Sequence, residues 1–289
     1  MTTSAGSSPT ILIVAYHTDD HLSDCLSVLG DTSSVLVIDN DMCPSTEALV
    51  ATRGARYLSA ASNLGFAAAV NLGLDAAWDG QSDVLLLNPD ARVTSADVAE
   101  LQQALHAPGT HRAAVGPRLV GSDGGAQVPD WPMPSPGQVW FDALGLSRVW
   151  RGRRFVVGAV LLLSGAAIAQ VGRFDDRYFL YAEEADWQLR AQRSGWTVAV
   201  VDAVSATHVG GASSSDPALR DRLFYASAET FARRWYGRSG WAVMRLGSLA
   251  AAVRRSLIGS ATTRARSRRV VRIYLGRSTP RRTTHEHPA

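Results

Sequence analysis

Thr10-Ile11-Leu12-Ile13-Val14-Ala15-Tyr16 opens residues 10–88, where short apolar runs rich in β-branched residues alternate with helical patterns. Thr10 to Tyr16 reads as a strand, Asp20 to Leu29 as a helix and Ser34 to Asp39 as a second strand. Pro44 to Thr52 follows as a helix, Ala55 to Ser59 as a short strand, Gly65 to Trp78 as a helix and Asp83 to Asn88 as another strand. Such alternation predicts an α/β fold, a mainly parallel sheet flanked by helices on both faces. Ligands of these sheets bind beyond the carboxyl ends of the strands, where Tyr16, Asp39, Asn40, Asn88 and Asp90 fall.

Further along, Thr94 to His106 reads as a helix and Ala113 to Leu119 as a strand. Gly121 to Gly137 is rich in Gly and Pro, lacks periodicity and reads as a loop. Phe155 to Gly172 runs 18 residues without a charge, close to the roughly 20 apolar residues that span a bilayer. Ser164, Gln170 and the glycines dilute it, and Gly158 and Gly165 divide it, so it reads as a buried strand, a turn and a second strand.

A chain of 289 residues with 46% hydrophobic and 19% charged residues is globular, and its length suits one large domain or two small ones. Two cysteines, Cys25 and Cys43, are too few for a disulfide framework, which points to a reducing cytosol. The polar residues 1–9 carry neither a basic segment nor an apolar run, which excludes a secretory signal and suits a disordered N-terminus. Charge is strongly asymmetric: up to Ala232 there are 15 Arg against 25 Asp and Glu, and from Arg233 onward 14 Arg against Glu286 alone. The basic end suggests an anionic partner, nucleic acid or an anionic membrane surface, but the acidic front would repel a phosphate backbone.

Five segments carry chemistry. Val37-Ile38-Asp39-Asn40 sets a carboxylate and an amide at a strand tip, where they can read a base edge or ribose hydroxyls, though an isolated Asp39 also reads as a helix cap. Asn63-Leu64-Gly65-Phe66-Ala67-Ala68-Ala69-Val70-Asn71-Leu72-Gly73 lets a small-residue helix approach either a phosphate or the sheet. Leu85-Leu86-Leu87-Asn88-Pro89-Asp90 ends a buried strand in an exposed carboxylate, as a hard cation bridging to a diphosphate requires, although Asn-Pro-Asp also makes a plain turn. Between Asp175 and Asp186 five carboxylates lie among Tyr178, Phe179 and Tyr181, with Glu183 and Asp186 three apart on a predicted helix and Asp186 four before Arg190. A solvated acidic face is the alternative, but the aromatics favour a cleft in which a base can be tuned. Last, His208 follows the apolar strand Thr197 to Val201 and precedes a flexible polar stretch, Gly210 to Ser215. It joins a metal with Asp90 only if the fold brings the two together.

In this order, with Gly195-Trp196 between the last two, the segments resemble the family 2 glycosyltransferases of the GT-A fold over roughly residues 10–215. The most similar branch contains bacterial rhamnosyl- and galactofuranosyltransferases of cell-wall and O-antigen assembly. The resemblance implies a nucleotide-diphospho-sugar donor contacted by Tyr16, Asp39, Asn40, Asn63, Gly65 and Asn88. It further implies Mg²⁺ or Mn²⁺ held by Asp90 and His208, Glu184 as catalytic base with Glu183 and Asp186 beside it, and Gly158 and Ala159 on the acceptor side. The chemistry implied is a single inverting displacement onto a hydroxyl of a glycan or lipid-linked precursor, with rhamnose the best match for the sugar. Two departures stand out: the Trp often found just before the Gly158 pair is absent, and Asn88 stands where many relatives carry Asp. A nucleotidyltransferase is the nearest alternative, but it opens with a Gly-rich loop and a Lys, and Ala15 to Thr18 offers neither.

The resemblance leaves the end of the chain unexplained. Trp235, Tyr236, Trp241, Val243, Met244, Leu246, Leu249, Val253, Leu257 and Ile258 recur at roughly helical spacing, with an Arg cluster from Arg264 to Arg272. An amphipathic helix in the interface of an anionic membrane and a helix packed on the catalytic domain with a disordered basic end both fit. The expected organisation is a catalytic domain over 10–232 and an Arg-rich helical tail over 233–289. With a lipid-linked acceptor, this predicts a cytoplasmic protein held peripherally on the inner face of the plasma membrane.

Overall fold

The computed structural model describes residues 8–210 and 216–276. The expected disordered ends lie outside them save for Ser8 and Pro9, as does the polar stretch after Gly210. By Cα packing the chain divides into two compact units, one of residues 1–131, 154–179 and 183–215, the other of residues 132–153, 180–182 and 216–289.

The first unit is built on β1 (Thr10–Ala15), α1 (Asp19–Leu29), β2 (Val35–Asp39), α2 (Pro44–Thr52), β3 (Arg56–Ser59), α3 (Phe66–Ala77) and β4 (Val84–Leu87). It continues through β5 (Ala91–Arg92), α4 (Ser95–Leu105), β6 (Arg112–Val120), β7 (Ala126–Gln127) and β8 (Asp130–Pro132). The chain passes through α5 (Pro136–Ala143) in the second unit and then returns. On its return it forms β9 (Arg154–Val156), β10 (Val160–Leu163), α6 (Gly165–Val171), α7 (Glu183–Arg193) and β11 (Thr197–His208).

The main sheet runs β3-β2-β1-β4-β10-β6-β11-β5, with β7 added to β6. The pairs β3–β2, β2–β1, β1–β4 and β6–β11 are parallel, and β10 runs antiparallel between β4 and β6. Side chains of period two point to opposite faces. Ile11, Ile13, Val35, Val37, Leu85 and Leu87 meet Leu22 and Leu26 of α1 and Leu101 of α4, while Leu12, Leu36, Ile38 and Leu86 meet Val70 and Leu74 of α3 and Trp187 of α7. Burial on both faces is why these strands read as continuous apolar runs. Each fully buried Leu or Ile contributes roughly 1.5–3 kcal/mol. Helix α3 lies close on the sheet because Gly73 has no Cβ, which would stand 2.9 Å from Ile38 Cδ1.

Three expectations are corrected. The loop over Gly121 to Gly137 contains β7, where Leu119 and Val120 pair back onto Gln127 and Ala126, and β8, which pairs with β9. In the uncharged run, β9 and β10 are the strand, turn and strand expected, but residues 165–171 are helical, started by Ser164, whose hydroxyl accepts from Ala167 N. Strand β11 does not stop at Val201: it shifts register between Val201 and Ser205 and runs through His208.

In the second unit, α8 (Pro217–Ile258) bends at Gly237 (φ 68°) and packs on α9 (Ala261–Leu275), burying Ala232, Trp241, Met244, Ala252, Val270 and Tyr274. Asp221 pairs with Arg269 at 2.9 Å, and Asp142 of α5 pairs with Arg255. Among the described residues no helix is long and apolar enough to cross a membrane.

Candidate active site

The buried run of β4 ends at Leu87, and Asn88-Pro89-Asp90 turns the chain into β5, where Ala91 pairs with His208 of β11. Two residues 118 positions apart are thereby brought together: His208 Nε2 stands 3.5 Å from Asp90 Oδ1. Asp90 Oδ2 accepts from Gly210 N at 2.9 Å, and Asp90 O accepts from Val209 N at 3.1 Å. Gln127 orients the ring. Its Nε2 donates to His208 O at 2.7 Å, which leaves its Oε1 as the acceptor 3.0 Å from His208 Nδ1. Nδ1 therefore donates to Gln127, and Nε2 is the ring nitrogen that faces Asp90. A carboxylate oxygen and an imidazole nitrogen this close can ligate one cation, since bonds of ~2 Å at right angles put cis ligands roughly 3 Å apart. Asp90 and His208 fit a divalent ion. Among the described residues no third His, Cys, Asp or Glu completes a cluster, so such an ion would complete its shell with water and ligand phosphate, as Mg²⁺ commonly does.

Asn88 N donates to Ala159 O at 2.9 Å, fixing the Gly158-Ala159 turn beside the Asp90 turn. A Cβ on Gly158 would stand 3.7 Å from Glu184 Cγ, so Glu184 lines the same surface. Gln188, one helical turn on, holds that face of α7 against β9: its Oε1 accepts from Val156 N and its Nε2 donates to Val156 O, both at 2.8 Å. Glu183 is buried and Glu184 half-buried, and each has an Oε2 closed off from solvent without a hydrogen-bond partner. Burial, then the charge of Glu184, pushes the Glu183 carboxyl well above the ordinary range, and burial also raises that of Glu184. Asp186, fully buried, accepts from Tyr178 OH at 3.3 Å and from Arg190 Nε at 3.0 Å, so the ion pair read from the spacing exists and lies inside the protein.

A second group sits at the ends of β1 and β2. Asp39 does not cap α2, whose N-cap is Cys43. Its carboxylate instead closes the turn after β2, accepting from Asp41 N (3.1 Å), Met42 N (2.9 Å) and Tyr57 OH (2.7 Å). Burial pushes the Asp39 carboxyl up, but the hydrogen bonds it receives outweigh this and hold it below its ordinary value. Tyr57 is pushed up to about 12 by burial and by Asp39. Asn40 Oδ1 accepts from Leu64 N at 2.9 Å, and its Nδ2 reaches Asn63 Oδ1 at 3.1 Å and Gly65 O at 3.3 Å. Asn40 thus holds the Asn63–Gly65 loop. Gly65 (φ 75°) is obligatory, because a Cβ there would meet Phe179 O at 2.2 Å. Tyr16 is half-buried, its ring centroid 4.2 Å from that of His17. His17 in turn rests on Asp41, with Nδ1 at 2.9 Å. Gln127, Gln188 and Asp41 were missed in the sequence. Gln127 lies in an aperiodic stretch without signal, whereas Gln188 could have been found as the i+4 neighbour of Glu184.

The chain has the GT-A fold of nucleotide-sugar glycosyltransferases. A mannosyltransferase from Pyrobaculum calidifontis, solved with GDP-Man and Mn²⁺, aligns with TM-score 0.56 at 12% identity, covering 96% of this chain and 83% of that one. Glucosyl-3-phosphoglycerate synthase from Mycobacterium tuberculosis, solved with Mn²⁺, UDP-Glc and phosphoglyceric acid, aligns with TM-score 0.58 at 16% identity over 80% and 81%. No family model matches the chain. Among curated relatives, N-acetylglucosaminyl-diphospho-decaprenol L-rhamnosyltransferase of Mycobacterium tuberculosis is 28% identical, covering 92% of this chain and 98% of that protein. A low-salt glycan biosynthesis hexosyltransferase of Haloferax volcanii is 24% identical over 68% of this chain and 66% of its own length, just under two thirds. The resemblance to GT-A glycosyltransferases of the family 2 type, rhamnosyltransferases among them, is borne out.

Proposed function

We propose that this protein is a metal-dependent, inverting glycosyltransferase that moves a sugar, rhamnose by its similarity to the decaprenol rhamnosyltransferase, from a nucleotide diphosphate onto a hydroxyl of a lipid-linked or polysaccharide precursor. The observation that carries it is the meeting of Asp90 with His208 on a surface that continues through Ala159 and Gly158 to Glu184. Asp90 and His208 would hold Mg²⁺ or Mn²⁺, which when bound neutralises charge on the departing diphosphate. Tyr16, Asp39 and Asn63 would line the nucleoside side, with Asn40 and Gly65 shaping its loop. Glu184 would take the proton of the acceptor hydroxyl beside Gly158 and Ala159. Its raised proton affinity suits a general base working near neutral pH. Glu183, buried beside it, is also raised, by burial and by the charge of Glu184. Asp186 would act by fixing α7 through Arg190.

Residues 10–232 would form the catalytic domain and 233–289 a tail on the cytoplasmic face of an anionic membrane. Val243, Leu246, Val253 and Leu257 are exposed at helical spacing along α8, and Arg264, Arg268 and Arg272 are exposed four apart along α9. A thermal-shift panel of nucleotide sugars with Mn²⁺ tests the catalytic reading, since a ligand selective for the folded state raises the melting temperature. One nucleotide family should stabilise the protein only with metal. Equal melting with every nucleotide sugar, with and without metal, would refute it.

A further inference from the structure

None of the segments read for chemistry falls between Pro132 and Arg153, yet these residues are built into the unit of α8 and α9. Helix α5 lies along α8: a Cβ on Gly247 would stand 2.8 Å from Val139 Cγ1, and further on Asp142 O accepts from Arg254 Nη2 at 3.2 Å. Past α5 the chain doubles back at Gly145 (φ 79°), where Leu146 N donates to Phe141 O at 2.7 Å and Val149 N to Leu146 O at 3.0 Å. Trp150 then returns to α5, its ring edge to face with Phe141 at 5.1 Å. This turn is anchored by its aromatics but leaves its aliphatic side chains outside: Leu144 is 65% exposed, Leu146 46% and Val149 55%. Leu246 and Leu257, exposed on α8, flank the stretch on which α5 rests. Such a cluster of exposed apolar side chains marks a contact surface. Its surroundings are basic. Arg148, Arg151 and Arg153 are exposed, and the one carboxylate between Pro132 and Arg153, Asp142, is paired with Arg255. The described residues of the unit carry 16 Arg against four Asp and Glu, of which Asp221 and Glu229 are also paired, with Arg269 and Arg233.

We propose that the turn Leu144–Val149 is a second membrane-contacting element: its aliphatic side chains enter the acyl boundary of an anionic lipid surface while Arg148, Arg151 and Arg153 meet the headgroups. The proposal rests on the reading of α8 and α9 as membrane-facing and adds to them a segment outside the tail. Apolar side chains flanked by Arg match a surface that is oily beneath and negative above. A second copy of the same surface would set like charge against like charge. A single-stranded nucleic acid would be met by aromatic side chains on which bases stack, whereas Leu144, Leu146 and Val149 are aliphatic. Two separate points of insertion on one unit also fix which of its sides faces the lipid, which a single amphipathic stripe does not.

The test is co-sedimentation of full-length protein with vesicles of phosphatidylcholine alone and of phosphatidylcholine holding about one-third phosphatidylglycerol. Four proteins are compared: the wild type, the triple change Leu144→Ser, Leu146→Ser and Val149→Ser, the single change Val149→Trp, and the α8 pair Leu246→Ser with Leu257→Ser. The wild type should partition onto the anionic vesicles and hardly onto the neutral ones. The triple change should lower that partition on the order of 10-fold or more, since it removes three inserted aliphatic side chains, with the melting temperature unchanged. Val149→Trp should raise it, because indole favours the headgroup level. Wild-type partition in both turn variants, beside weakened binding in the α8 pair, would overturn the role of the turn and leave the tail reading standing. No binding of the wild type to anionic vesicles would overturn the tail reading and the proposal with it. Equal binding to both kinds of vesicle would overturn the assignment to anionic lipid. Unchanged vesicle binding in the triple variant, with loss instead of a dimer or of binding to single-stranded RNA, would give the turn to those partners and overturn the proposal. Should the triple variant fail to fold, Val149→Trp decides, because a gain in partition at an unchanged melting temperature does not come from unfolding.

Discussion

At the level of single residues, two adjacent glutamates of α7, Glu183 and Glu184, have different surroundings. Glu184→Gln keeps the shape and removes the base, so turnover should fall about 10²-fold or more, the size of a lost general base, with donor affinity nearly intact. Steady-state kinetics beside calorimetric donor binding checks this. The same burial makes a stability prediction. Below the ordinary carboxylate range both glutamates are neutral folded or unfolded, and their burial costs little. As pH rises toward the raised folded values, the unfolded chain ionises freely while the folded chain must keep its protons or bury charge, so stability is lost through that window. Melting temperatures taken from pH 4 to pH 8 should fall over this interval from about 4.3 upward. Glu183→Gln should flatten the fall. An equal slope in that variant would assign the loss to other groups.

At the scale of elements, the site depends on strand pairings that set partners for its side chains. Gln127 is on β7 only because β7 folds back on β6, and from there its side chain holds the His208 ring through Nδ1. Gln127→Ala should therefore weaken Mn²⁺ binding by roughly 10- to 100-fold, as loss of a ligand's supporting hydrogen bond does, leaving the melting temperature without metal nearly unchanged. Metal titration of the two proteins checks it. Gly65→Ala should act on stability and donor binding together, since its Cβ would strike Phe179 O, the atom that accepts from Phe66 N. A loss of roughly 1–3 kcal/mol in denaturant unfolding is expected. The β/α alternation through Asn88 was legible because both faces of those strands are buried, leaving uninterrupted apolar runs. Residues 165–171 were not, since a seven-residue apolar helix and a strand cannot be told apart by periodicity. The end of β11 was half legible: Val204 and Ala206 are buried and Ser205 exposed, an alternation visible in the sequence, but the register shift after Val201 hides its continuity with the first part. Asp90 and His208 could be named as candidates, but only the pairing of β5 with β11 brings them together. Asn40 could be named as a candidate but its contacts could not, because its bonds to Leu64, Asn63 and Gly65 are made across loops that the sequence does not align.

At the scale of the whole molecule, an acidic front and an Arg-rich end are joined in one chain. The proposed membrane surface predicts that full-length protein pellets with anionic liposomes at low salt and is released at high salt, because attraction between exposed charges is screened within ~10 Å at 0.1 M salt. A chain ending near Gly240, lacking the exposed stripe of α8 and all of α9, should stay in the supernatant; equal pelleting of the two would remove the tail from the proposal. The acceptor's lipid would then be met at the surface on which the tail rests. Sugar transfer is tested by release of nucleoside diphosphate from a panel of nucleotide sugars, thymidine-diphospho-rhamnose included. Release should require Mn²⁺ or Mg²⁺ in the wild type, be selective for one donor, and be lost in Asp90→Asn and in His208→Ala. Release that proceeds unchanged in chelator, or that survives in both variants, would rule out metal-dependent transfer at Asp90 and His208.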